Sequence, residues 1–500
     1  MRYQLHPDFG IRNDIDRNII YVKNPVDSVI PDFVKMINTP TSILLALFDG
    51  NRTLADVIRI WSQLLFGKSP DRKVYQEIEI FMMTDLAPEL KVKDVFIKQS
   101  AIDEKINVVP DIRKLIVEKS KLNLNDPRLR IPLRMLFIPT LKCTQRCYYC
   151  YSTESHATPI KPLTLKRLTE IFNDAKKLGI DFVDLSGGEP FAYPNIFRFL
   201  EILHNLEIIP NIPTKYPLSS EETKRLKDLG IKSMQISIDA ITPDLLEHTV
   251  GVNGYAKRIM NTFRYLDEVE IKLRINIVIT ALNIEDIGNL IHFLTSFSNV
   301  YLINLSPYER SRFRHKDCYY VPPKRYSELV KEVEWMLSGF PNIRFSPGEP
   351  SYDSTKTPNT KEETWNKRSF CTGGRHAFVL LPDGKVTMCE ELYYHPDYLM
   401  GDLSRQSIME MWESEEAHRI PYPSQKEVPD GPCHYCEEFK ECHIFPGRCV
   451  REAIKMYGEE RHYFPDPRCP KAPRVKNSDV HLQMEKRGQK KGVKSAFDPY

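Results

Sequence analysis

Cys143, Cys147 and Cys150 stand in the string Cys-Thr-Gln-Arg-Cys-Tyr-Tyr-Cys, and seven of the other eight cysteines fall between Cys371 and Cys469. Thiolates at such short spacings hold soft metals or iron–sulfur clusters. The second group reads Cys433-x2-Cys436-x5-Cys442-x6-Cys449, followed by Cys469-Pro470 and preceded by Cys371 and by Pro382-Asp-Gly-Lys-Val-Thr-Met-Cys389. The Asp383-Gly384 pair signals a tight hairpin that folds Cys389 back toward Cys371. On spacing alone, both groups could also serve zinc: the first as a knot with a distant fourth ligand, the second as a ribbon. Cys318 stands apart, and the commoner fate of a lone thiol is burial as a small apolar residue.

The elements that must position these thiols are legible in the middle of the chain. Strand-like runs occur at Arg134–Pro139, Asp181–Ser186, Glu207–Ile212, Lys232–Asp239, Lys272–Thr280 and Tyr301–Ser306. Amphipathic helical segments alternate with them, at Leu163–Leu178, Ile196–Leu206, Ser219–Leu229, Tyr255–Val269 and Ile284–Phe297. Such alternation predicts right-handed βα units around a parallel sheet, either open or a partial barrel, with the chemistry at the carboxyl ends of the strands. The three cysteines follow the first strand, and Ser186-Gly187-Gly188-Glu189-Pro190 ends the second. Glycines there let backbone approach a ligand, and Glu189 offers an acceptor for an ammonium group.

Cysteines spaced CxxxCxYC after one strand and a GGEP string after the next resemble the radical S-adenosylmethionine superfamily. The resemblance implies a partial (β/α)6 barrel over residues 132–345, with a [4Fe–4S] cluster on Cys143, Cys147 and Cys150. It implies that S-adenosylmethionine chelates the open iron and is cleaved reductively to a 5′-deoxyadenosyl radical that removes a substrate hydrogen. Tyr149 would lie by the adenine, and Gly187, Gly188 and Glu189 would hold the methionyl amine. Ser237-Ile-Asp239 matches the family's Ser-hydrophobic-Asp string, making Ser237 and Asp239 candidates for the ribose or the substrate, with Asn276 and Thr280 on strand five as further candidates. Strand five lacks the glycine-rich string that some members use for adenine. The cysteine-rich region, residues 346–470, resembles the SPASM extension of enzymes acting on peptides and proteins. That likeness implies two further [4Fe–4S] clusters, one on Cys433, Cys436, Cys442 and Cys469 and one on Cys371, Cys389 and Cys449. This chain departs from the pattern in its six-residue gap before Cys449 and in having no second cysteine between Cys371 and Cys389, which leaves a possible open iron, or a place for Cys318.

Residues 1–100 form a smaller unit. Asn18–Val22 reads as a strand, Ser42–Phe48 as a helix stopped at Asp49-Gly50, and Thr53 as the cap of a helix whose stripe is Leu54, Val57, Ile58, Trp61, Leu64 and Leu65. A further helical pattern at Tyr75–Met83 and a strand at Val92–Ile97 complete a winged-helix outline. Basic residues are not concentrated on its second helix, so nucleic-acid reading is not expected. The string at 44–57 resembles the precursor-peptide recognition element, which captures a leader peptide as an added strand.

Seventy basic and 67 acidic residues give a net charge of +3 and no global field for nucleic acid or membrane. The N-terminus has no apolar h-region and the chain no membrane-spanning run, so a cytoplasmic location is expected. An odd number of cysteines argues against a disulfide framework. Residues 101–131 read as a linker and 471–500 as a basic, disordered tail. Together the three resemblances imply a peptide-modifying radical enzyme that forms Cys thioethers and uses an external electron donor such as flavodoxin or ferredoxin. Carbon–carbon crosslinking and a sulfatase-maturase type of oxidation are the rival chemistries, and a zinc-ribbon winged-helix regulator is the rival outside enzymology.

Overall fold

The computed structural model describes residues 1–28, 30, 32–84, 95–98, 111–152, 160–309, 311, 316–348, 365–366, 368–393 and 395–473. Residues 92–94 of the expected strand and 474–500 of the expected tail lie outside them. The chain forms two compact units, Met1–Leu133 with Lys177–Phe182, and Arg134–Lys176 with Val183–Tyr500.

In the first unit, β1 (Arg2–Leu5), β2 (Phe9–Asn13), β3 (Asn18–Val22), β4 (Val34–Ile37), β5 (Asp49–Thr53) and β6 (Phe96–Lys98) make two antiparallel sheets, β2-β3-β4 and β5-β1-β6. The helix Thr39–Leu47 begins earlier than the apolar run suggests, because Asn38 caps it by accepting from Thr41 N–H at 2.9 Å. Thr53 caps the next helix, Leu54–Phe66, through Asp56 N–H at 3.2 Å, and Gly67 closes that helix in the left-handed region. Leu44, Leu45, Phe48, Val57 and Ile58 meet in its core with Ile20 and Val22 of β3. The described part of the expected linker, 111–131, is packed onto this unit. Asn18 donates to the Leu115 carbonyl at 2.8 Å, and Arg130 pairs with Asp16 at 2.9 Å. Its lack of regular apolar periodicity reflects these point contacts.

The second unit is built on β7 (Arg134–Phe137), β8 (Phe182–Leu185), β9 (Ile209–Asn211), β10 (Pro213–Thr214), β11 (Ser233–Ser237), β12 (Lys272–Ile279), β13 (Val300–Pro307) and β14 (Arg344–Pro347). Helices Leu165–Lys177, Ile196–Asn205, Ser220–Asp228, Tyr255–Glu268, Ile287–Leu294 and Pro323–Leu337 alternate with them. The strands follow chain order in two sheets, with β7, β8 and β9 adjacent in one and β10 to β14 in the other. Ile212 separates β9 from β10, so the third strand bridges the two sheets, and its carbonyl still accepts from Gln235 N–H of β11 at 2.9 Å. Leu273, Ile275, Ile277 and Ile279 of β12 are fully buried, as a central parallel strand requires. The observed order is that of a partial parallel βα barrel with mixed α/β content, divided between two sheets.

Beyond the barrel, β15 (Ala377–Leu380) turns at Asp383-Gly384 into β16 (Lys385–Thr387), which pairs with β17 (Leu399–Asp402). Gly384 adopts φ +97°, as the hairpin demands. β15 also pairs in parallel with β7, Ala377 facing Arg134, so the cysteine-rich segment extends the barrel sheet itself. Among the described residues no helix is long and apolar enough to cross a membrane.

Replacing Thr53 by Ala removes the cap of Leu54–Phe66 and should destabilise that helix by about 1 kcal/mol. Amide hydrogen exchange across 54–58 reads this out, and unchanged protection would show that tertiary packing alone holds the helix.

Candidate active site

The loop after β7 carries Cys143, Cys147 and Cys150, and the turn after β8 is laid against it. Ser186, Gly188 and Glu189 donate their backbone N–H groups to the carbonyls of Phe137, Thr140 and Lys142 at 3.1, 3.0 and 2.9 Å. A Cβ at Gly188 would stand 2.1 Å from the Lys142 carbonyl oxygen, and one at Gly187 2.5 Å from Ile138 Cγ2. Gly187 also adopts φ +108°. The glycines therefore have a structural duty beside the cofactor contact expected of them, because they let two loops approach with no side chain between.

Glu189 is buried where three elements meet. Its Oε1 accepts from the Thr214 hydroxyl (2.6 Å) and Phe191 N–H (3.1 Å), and its Oε2 from Lys215 N–H (3.0 Å). Burial raises its carboxyl above the usual range, and these donors oppose that. Asp239, fully buried after β11, accepts from Tyr149 Oη and from Lys215 Nζ on Oδ2 and from Val278 N–H on Oδ1 at 2.8 Å. Lys215 Nζ also reaches Tyr149 Oη at 2.6 Å. Burial would lower the ammonium pKa, but Asp239 and Cys147 beside it outweigh that and raise it.

Other expected residues cluster at the same end of the sheet. Ser237 is buried at the end of β11, 3.4 Å from Gln235 Nε2. Asn276 accepts from the Ser306 hydroxyl of β13 at 2.8 Å, and Thr280 shares a 2.7 Å hydrogen bond with Tyr148. Lys215, Thr214 and Glu390 were not expected. Lys215 follows the third strand directly, so the rule that chemistry sits at strand carboxyl ends was the signal for it. Glu390 accepts from the hydroxyls of Ser186 and of Tyr151, the latter at 3.2 Å. It thereby sets the residue after Cys150 beside the residue after Cys389.

The later cysteines gather in two places. A Cβ on Gly373 would meet the Met388 carbonyl at 2.3 Å, and one on Gly447 would meet Cys371 Cβ at 3.2 Å, so the backbones flanking Cys371, Cys389 and Cys449 converge. Cys371 N–H also donates to the Pro446 carbonyl at 2.8 Å. Arg451 feels the thiols of both Cys389 and Cys449. Cys433 feels Cys436, Cys442 and Cys469 together, and the Gln425 side-chain amide spans the Cys433 and Cys436 carbonyls at 3.2 and 2.8 Å. Asp466 joins the two groups: its Oδ2 accepts from Cys449 N–H at 3.2 Å, and its carbonyl accepts from Cys469 N–H at 2.9 Å. Cys318 is exposed, so it does not pack as the small buried apolar residue that a lone thiol commonly becomes.

The donor set fits iron–sulfur clusters. All eleven cysteines are free thiols. Burial pushes Cys147, Cys389 and Cys449 up to about 12 and Cys433 and Cys442 up to about 11, so these thiols ionise only when a cation replaces their protons. Among the described residues no three His, Cys, Asp or Glu side chains converge tightly enough to share one metal ion. A cubane places each thiolate on a different iron, and its ligands stand further apart.

A partial barrel with three thiols after its first strand and a glycine-glycine-glutamate turn after its second defines a radical S-adenosylmethionine enzyme. Sequence comparison agrees: the Radical SAM superfamily matches residues 137–294, and the SPASM iron-sulfur cluster-binding domain matches residues 371–437. The chain is a radical S-adenosylmethionine enzyme with a SPASM domain, and it takes S-adenosylmethionine, a [4Fe–4S] cluster and auxiliary iron–sulfur clusters. These matches remove the zinc-ribbon regulator as an alternative. The PqqA peptide cyclase of Rhizobium meliloti (strain 1021) is 23% identical over 353 residues, covering 69% of this chain and 89% of that protein. The AdoMet-dependent heme synthase of Methanosarcina barkeri is 22% identical over 320 residues, covering 61% and 88%. Among solved structures, Streptococcus suis SuiB bound to S-adenosylmethionine superposes with a TM-score of 0.61 at 18% identity, over 93% of this chain and 99% of that one. SuiB bound to its precursor peptide SuiA gives 0.60 at 16% identity.

Replacing Gly188 by Ala should cost the protein the iron of one cluster, because the added methyl group pushes the Lys142 backbone and the cysteine loop away from the turn, and Cys147→Ala should do the same by removing a thiol. Iron and sulfide analysis after anaerobic reconstitution checks both. Full loading of the Gly188 variant would mean that the loop tolerates separation from the turn.

Proposed function

We propose that the chain matures a ribosomally made precursor peptide, joining a Cys sulfur of the peptide to a carbon of a neighbouring residue in a thioether. The observation that carries this reading is the Tyr151–Glu390 contact, which sets the first cysteine loop beside the Cys389 segment, so that a peptide at the barrel mouth touches both. The PqqA peptide cyclase and the SuiB complex with SuiA support a peptide as the substrate class.

Cys143, Cys147 and Cys150 would hold the first cluster, and Tyr149, Gly187, Gly188, Glu189, Ser237 and Asn276 would surround S-adenosylmethionine. Bound there, the pair supplies one-electron cleavage of a sulfonium and a carbon radical able to take hydrogen from an unactivated C–H bond. The protein's part is to hold that C–H bond close and to exclude other hydrogen donors. Asp239, locked by Tyr149 and Lys215, fixes the fourth strand's end against the cysteine loop. Cys433, Cys436, Cys442 and Cys469 would hold one auxiliary cluster, and Cys371, Cys389 and Cys449 the other. A set of three thiols leaves room for a substrate thiolate, which is why sulfur–carbon bonding ranks above carbon–carbon bonding. The leader half of the peptide would pair with a sheet edge of the first unit, where main-chain hydrogen bonds supply affinity without a charge signature. An external flavodoxin or ferredoxin would supply electrons, and the reducing cytoplasm suits the free thiols.

A Cys-containing precursor peptide, sought as a short open reading frame beside this gene and incubated anaerobically with the reconstituted enzyme, S-adenosylmethionine and a reductant, should become lighter by the hydrogens lost at the new bond. The bonded Cys should also resist thiol alkylation. A product whose cysteines all alkylate would replace the thioether with carbon–carbon crosslinking, and no product at all would sink the peptide reading. Excess leader half alone should inhibit the reaction. Cys449→Ala should keep cleavage of S-adenosylmethionine and stop product formation; continued product would remove that cluster from the chemistry.

A further inference from the structure

A lysine is costly to bury, because its ammonium gives up water and needs anionic partners. Lys215, whose side chain is 16% exposed, finds them in Asp239 and in the Tyr149 hydroxyl at 2.6 Å. Its backbone is committed too: the N–H donates to Glu189 at 3.0 Å, and the carbonyl accepts from Gln145 Nε2 at 3.2 Å and from the Tyr255 hydroxyl at 2.7 Å. Gln145 in turn accepts from the Cys143 thiol at 3.4 Å. The ammonium is thus held beside the loop of three cysteines by contacts with that loop at two points. Asp239 pairs with the ammonium and shares its contact with the Tyr149 hydroxyl, so removing the lysine charge alone leaves a carboxylate beside the loop.

We propose that Lys215 is a positioning residue for electron entry: its fixed positive charge raises the reduction potential of the cluster on Cys143, Cys147 and Cys150. The inference rests on those three cysteines being the ligands. A cluster's potential follows the charge and hydrogen bonding around it. One electron from the external low-potential donor adds one negative charge at the loop, and a cation fixed there stabilises it. No proton moves in the step, and the donor is the one the reaction already requires.

The test is a redox titration followed by electron paramagnetic resonance on the full-length, anaerobically reconstituted protein, with and without S-adenosylmethionine. The signal that changes on adding S-adenosylmethionine belongs to the first cluster. Lys215→Gln keeps donors for Asp239 and Tyr149 while losing the charge, and its potential should fall. Lys215→Arg should stay near the parent, and Lys215→Gln combined with Asp239→Asn, which also loses the carboxylate, should lie above Lys215→Gln. An unchanged potential in Lys215→Gln overturns the proposal, as does an equal fall in Lys215→Arg. If Lys215→Gln holds no first cluster, Lys215→Met is titrated in its place: a potential below the parent supports the proposal, whereas the parent's value, or no cluster, overturns it. Should the parent show no signal that responds to S-adenosylmethionine, the ligand assignment fails instead.

Discussion

The backbone of Gly188 lies against that of Lys142 with no space for even a methyl group between them. Every other feature of the barrel mouth depends on that approach. It fixes the height of the cysteine loop over the sheet and brings Glu189 under it. It also turns the carboxyl ends of the first two strands into one continuous floor. Three backbone hydrogen bonds zip the two loops together, and they form only while both glycines lack side chains. Precision in a radical enzyme is a matter of excluding alternatives, and here it begins with main chain, the least adaptable part of the molecule.

On that floor sits a set of buried polar groups that share their partners. Glu189 is satisfied by Thr214, Phe191 and Lys215, and Asp239 by Tyr149, Lys215 and Val278, so Lys215 belongs to both networks. Partly satisfied buried networks are unstable, whereas complete ones specify a single arrangement. The site is therefore stiff before any ligand enters, and residues from the first, second, third and fourth strands hold one another in place.

Much of this was legible in the residues themselves. The period of two in Leu273, Ile275, Ile277 and Ile279 marks β12 to within a residue, and Thr53 announces the start of its helix. The cysteine spacings and the Gly-Gly-Glu-Pro string identified the chemistry before any geometry was known. The third strand was legible only as one piece, because nothing local says that the sheet divides at Ile212. Lys215 was hidden for a different reason. A lysine after a strand is ordinarily solvated, and its partner Asp239 meets it only through the parallel pairing of β10 with β11. The union of β15 with β7 is hidden in the same way, since Arg134 and Ala377 carry no mutual signal in the chain.

That union bears on how the protein is made. β7 leads into the loop of the first three cysteines, and Ile138 N–H, just beyond the strand, donates to the Leu380 carbonyl at 2.9 Å. A ribosome delivers the N-terminal parts of a chain first. The loop's thiols are thus synthesised well before the strand that anchors their base, and the long sequence separation makes that pairing slow to form. A chain cut before β15 would therefore carry the cysteine loop on a strand whose outer edge is unpaired.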